Sequence, residues 1–99
     1  MDDQQKIEMY DKAFYIVKNA GRKDGIYYHL DKNGLDIFYS EYADILTVYY
    51  NLREYSNPVL QARNGEVFYA HDPLTSPSWI DAINREFRAL MQKKPEKKE

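Results

Sequence analysis

From residue 4 to residue 20 the apolar positions Ile7, Tyr10, Phe14 and Val17 recur at steps of three and four, while Glu8, Asp11, Lys12 and Lys18 fall elsewhere around the cylinder. That spacing predicts an amphipathic helix. Asp2 or Asp3 suits its N-cap, and Gly21 stands where a left-handed C-terminal residue would end it. The run Gly21-Arg22-Lys23-Asp24-Gly25 has no periodicity and reads as a loop.

The period then changes to two. Residues 26–30 and 35–39 are short β-type runs on either side of Asp31-Lys32-Asn33-Gly34, whose Asn-Gly dipeptide tolerates the positive φ of a hairpin turn. A two-residue loop would set Asp31 against Asp36, a like-charge pair, so a four-residue loop with His29 opposite Asp36 is preferred. In either register Ile26, Tyr28, Leu30, Leu35, Ile37 and Tyr39 share one face, leaving Tyr27, His29, Asp36 and Phe38 on the other. Residues 40–55 fit helical and strand patterns equally, and the β-branched and aromatic Thr47-Val48-Tyr49-Tyr50 decides for a loop at 41–44 and a strand at 45–53.

After the turn at Asn57-Pro58, residues 59–63 and 66–70 flank a second Asn-Gly pair, which sets Arg63 opposite Glu66 and puts Leu60, Ala62, Val67 and Tyr69 on one face. Residues 71–77 form a loop. Ser76 or Ser78 then caps a second helix with Pro77 in its first turn, carrying a stripe of Trp79, Ile80, Ile83, Phe87, Leu90 and Met91. The charged, proline-interrupted residues 93–99 predict a disordered tail. The expected architecture is one α+β domain over residues 1–92, a five-strand antiparallel meander with an N-terminal and a C-terminal helix packed on one sheet face.

Composition sharpens this. A chain of 99 residues supports one core, and without cysteine neither a disulfide nor a thiolate metal site can hold it, so packing must. The acidic, polar start and the lack of a long apolar run point to a cytoplasmic protein with no membrane partner. A net charge of −2 disfavours nucleic acid, despite six basic against three acidic residues in the last fifteen. Ten tyrosines against four phenylalanines and one tryptophan are the compositional oddity: they suit half-buried sheet positions and equally suit contact surfaces.

No chemical motif is complete. Two histidines, His29 and His71, are too few for a metal site, and Asp31-Lys32-Asn33-Gly34 lacks the glycine spacing and closing glutamate of a calcium loop. His71-Asp72 has none of the further ligands of a metal-dependent phosphohydrolase, and Gln61-Ala62-Arg63 with Asp36 lacks the second carboxylate of a small nuclease. The glycines sit at turns or a helix end and form no phosphate loop. His29 beside Asp36 has the make-up of a base and its orienting acid, but no nucleophile is placed with them, and a cross-strand surface pair is the ordinary use of such residues. No cofactor is implied.

The expectation is therefore a non-catalytic protein-interaction module. The sheet face turned away from the helices carries Tyr27, His29, Phe38, Tyr49, Arg53, Gln61, Arg63 and Phe68, types that dominate interfaces, and it or an edge strand would dock on a partner protein or a second copy in a homodimer. In composition, though not in sequence, the chain resembles small inhibitors and accessory proteins of phages and mobile elements. The alternative is a ligand-binding or enzymatic pocket between sheet and helices, with His71, Asp72 and Trp79 at its rim.

Overall fold

A computed structural model describes residues 2–50, 58–70 and 77–92. The first helix, α1, runs from Asp3 to Ala20. Its start is fixed by a reciprocal capping box: the Asp2 carboxylate accepts from the Gln5 backbone N–H at 2.8 Å, and the Gln5 side chain accepts from the Asp2 N–H at 3.0 Å. The buried stripe is Met9, Ala13, Ile16 and Val17, with Tyr10 and Phe14 half-buried beside it. The stripe is thus rotated from the expected one, and Ile7 is 52% exposed. Small Ala13 lets the helix come close to the core, whereas Ile7 lies too far round the cylinder to reach it.

Gly21 ends α1 in extended geometry, φ −79° and ψ 163°, and not in the expected left-handed form. Glycine is needed here for closeness: a Cβ would stand 2.6 Å from the Val17 carbonyl oxygen and 3.0 Å from that of His29. The chain passes from there directly into a strand, so the predicted loop is corrected to β1, Arg22–Asp24. Gly25, φ 64°, and Ile26 turn it back into β2, Tyr27–Lys32. Ile26 is therefore a turn residue, exposed and outside the core face.

Strands β3 (Leu35–Ser40), β4 (Ile45–Tyr50), β5 (Leu60–Arg63) and β6 (Glu66–Ala70) complete a six-strand antiparallel meander in which every strand pairs with its neighbours in sequence. The strand count expected was five; β1 is the addition. Between β2 and β3 the register is the two-residue one, Lys32 opposite Leu35 and Asp31 opposite Asp36, which overturns the preferred four-residue loop. Asn33 and Gly34 take φ of 54° and 86°, a turn whose twist matches the strands and outweighs one like-charge pair. The turn at 41–44 leads into β4, so the helical alternative for 45–50 is discarded; residues 51–53 of the expected strand, with Arg53, lie outside the described residues.

In the last pair Arg63 faces Glu66, but the register shifts at Gln61/Ala62, so that Ala62 faces Val67 and Gln61 faces Tyr69, with Phe68 the extra residue of a bulge. The shift puts Tyr69 with Gln61 on the face away from the helices and returns Ala70 to the core, correcting the expected side of Tyr69. The second helix, α2, spans Pro77–Gln92 and buries Ile83, Phe87 and Leu90, whereas Met91 stays exposed.

One core cluster unites α1, α2 and a single face of the sheet, with Tyr28, Leu30, Leu35, Ile37, Tyr39, Leu46, Val48, Leu60 and Ala62 buried beneath the helices. The fold is α+β in two layers. Among the described residues no helix is long and apolar enough to cross a membrane.

Candidate functional site

Strict pairing turns the uncovered face into a grid. One row crosses all six strands: Arg22, His29, Phe38, Thr47, Gln61 and Tyr69 are successive partners. A parallel row contains Asp24, Tyr27, Ser40, Ile45, Arg63 and Glu66, and a shorter third one Asp31, Asp36 and Tyr49. Over β1 to β4 the first two rows line a recess of about 700 Å³.

Its floor is aromatic and braced. The His29 ring stacks on Phe38 with centroids 4.3 Å apart and planes 8° from parallel, and Tyr49 meets the other side of Phe38 edge-on at 5.8 Å. Both nitrogens of His29 are engaged: Nε2 contacts the Asp36 carboxylate, a diagonal neighbour across β2 and β3, and Nδ1 lies 3.4 Å from Nη2 of Arg22. Guanidinium can only donate, so Nδ1 is the acceptor and Nε2–H donates to Asp36. Both nitrogens are thus held by the chain. The arrangement fixes the ring plane, and through it the ring of Phe38. Tyr27, 59% exposed, stands over the recess from β2, and Phe38 is 41% exposed.

A second polar cluster lies at the α1 side of the sheet and serves the fold. Lys18 pairs with Glu41 at 3.3 Å and sits 4.7 Å from the Tyr28 ring centroid, while the Tyr28 hydroxyl donates to Glu41 at 3.0 Å. Those hydrogen bonds from Tyr28 and Lys18 hold the Glu41 carboxyl below its ordinary pKa. Burial opposes the Lys18 charge, but its bonds to Glu41 and Tyr28 prevail and raise its pKa. Burial, and the hydrogen bond it donates to Asp44 at 2.8 Å, push the Tyr39 hydroxyl up.

Of the residues singled out from the sequence, the structure gathers Tyr27, His29 and Phe38 in the recess with Tyr49 beside them. Arg63 is exposed on β5, opposite Ile45 at the border of the recess but outside its lining, and Phe68 sits in the bulge at the far edge. Arg53, His71 and Asp72 lie outside the described residues, as does the side chain of Trp79, whose backbone belongs to the first turn of α2. The recess opens on the uncovered face, not between sheet and helices. Sequence reasoning missed Arg22 and Asp24 because β1 has no apolar pattern; the Asp24-Gly25 dipeptide, a strong hairpin signal, would have found it. No group of three or more histidine, aspartate or glutamate side chains among the described residues is placed to hold a metal ion. No family model, curated protein sequence or solved structure matches the chain.

Proposed function

We propose that the chain is a non-catalytic protein-interaction module, an inhibitor or accessory type of protein such as phages and mobile elements carry, that docks through the aromatic recess on β1 to β4. The observation that carries this is the braced ledge of Phe38. Its ring is clamped between His29 and Tyr49, and His29 is itself fixed by Asp36 and Arg22. An exposed aromatic side chain held rigid before binding loses little entropy on docking, which is what an interface anchor requires. Its polar neighbours satisfy one another, which holds the ledge in place before anything binds.

Charge supports a protein partner over nucleic acid. The uncovered face carries Arg22 and Arg63 but also Asp24, Asp31, Asp36 and Glu66, an unfavourable balance for phosphate. The test is affinity capture from the native host's lysate, comparing wild type with Tyr27→Ala/Phe38→Ala under matched circular dichroism. A protein retained by wild type and lost by the double variant supports the reading; equal retention by both places the binding surface elsewhere. The size of the recess also favours a second reading, since small-molecule sites commonly span about 300–1,000 Å³. A thermal-shift screen in which a ligand stabilises wild type but not Tyr27→Ala/Phe38→Ala would select it.

A further inference from the structure

We infer that the occupant of this face is a second copy of the chain, packed face to face about a two-fold axis that runs across the strands between the first two rows. This rests on the docking reading above and names the partner. Arg22 and Asp24 lie on the same face of β1, in adjacent rows, with opposite charges. Among the described residues the ion pairs are Lys18–Glu41 and His29–Asp36, so Asp24 is left without one and Arg22 has donors to spare beyond its contact with His29.

Symmetry makes that pattern decisive. Two sheets stacked with aligned strands admit a two-fold axis either along the strands or across them. An axis along the strands lays β1 over β6 of the second copy and brings Asp24 to Glu66, a like-charge contact made twice. An axis across the strands on the first row brings Arg22 to Arg22. An axis across the strands between the rows exchanges them, so each Arg22 meets the second copy's Asp24 and the contact is made twice with attraction. The same operation sets Phe38 over Ser40 and Thr47 over Ile45, a large side chain above a small one at the centre of the face. The protruding Tyr27 ring then enters the recess of the other copy beside its His29.

Six strands about 4.8 Å apart and about five residues of about 3.4 Å along each give a flat area on the order of 500 Å². That is below the roughly 800 Å² per partner of a standard interface, so the dimer is weak and is to be sought at about 5–500 µM.

Sedimentation equilibrium of the full chain over that range tests the inference. Wild type is expected to dimerise, and Arg22→Asp and Asp24→Arg each to weaken the association by at least about tenfold, through like charges meeting across the axis. The exchange variant Arg22→Asp/Asp24→Arg keeps the net charge and restores the attraction, so it should bind more tightly than either single variant, short of wild type by what the lost Arg22–His29 contact contributes. Urea midpoints check folding, and Asp24, with no ion pair among the described residues, gives a variant that does not disturb His29. A wild type monomeric up to about 500 µM overturns the inference, as does a dimer that none of these variants weakens. The docking reading survives a monomer if capture by the Tyr27 and Phe38 face still succeeds, so the two fail separately.

Discussion

Gly21→Ala should destabilise the domain by about 1–2 kcal/mol, although its backbone angles alone would favour the change. With φ −79° and ψ 163° the position suits any residue, and alanine there would restrict the unfolded chain and add about 0.4–1 kcal/mol of stability. Against that stands a Cβ 2.6 Å from the Val17 carbonyl oxygen and 3.0 Å from the His29 carbonyl oxygen. Both are backbone atoms, so no side chain can swing aside, and Gly21 must shift by several tenths of an ångström against the last turn of α1 and against β2. Forcing an extra methyl into such a site costs about 1–3 kcal/mol, which wins. In a domain of this size each kcal/mol moves the melting temperature by about 4–8 °C. Urea titration followed by circular dichroism reads the effect, with Gly25→Ala as a contrast: a Cβ there meets open space, yet φ 64° imposes strain on the order of 1 kcal/mol. A Gly21→Ala protein as stable as wild type, or more so, would refute the close-approach reasoning and with it the tight seating of β1 that puts Arg22 beside His29.

Three further outcomes follow from packing and charge. Asp31→Asn removes the like-charge pair with Asp36 and should raise the urea midpoint, by about 0.2–0.5 kcal/mol at low salt and less at high salt. Glu41 has its folded pKa held below the ordinary 4.5 by Tyr28 and Lys18, so its contribution is present above that value and lost as pH falls through the lowered one. Glu41→Gln should therefore narrow the stability gap between pH 7 and pH 3, measured by urea melts at both; an unchanged gap would show that the pairing does not matter. Phe87→Ala empties a fully buried ring position and should cost about 3–5 kcal/mol, read from the same melts.

Where a strand buries one face, the sequence carried its structure openly. Tyr28, Leu30, Leu35, Ile37 and Tyr39 alternate with Tyr27, His29, Asp36 and Phe38, and the alternation assigns both the core face and the uncovered face whatever the register. The β-branched run at 45–50 resolved an ambiguous periodicity for the same reason. What escaped was set by backbone geometry. β1 consists of exposed, charged residues and exists because the backbone of β2 offers it partners, so no hydrophobic pattern records it. The β2–β3 register follows the conformational needs of Asn33 and Gly34 over a side-chain repulsion. The bulge at Phe68 reversed Tyr69, which a strict period of two cannot anticipate. One side of the recess was hidden with β1, since Arg22 and Asp24 reach the site only once that strand is known.

The most direct test of the claim that the uncovered face is the docking surface is hydroxyl-radical footprinting of the chain in dilute buffer and in the native host's lysate. Tyr15 and Tyr42, 51% and 89% exposed on α1 and the 41–44 turn, serve as internal controls. Oxidation of Tyr27 and Phe38 should fall in the lysate while that of the two controls holds. Protection of Tyr15 or Tyr42 with Tyr27 and Phe38 unchanged would contradict the account.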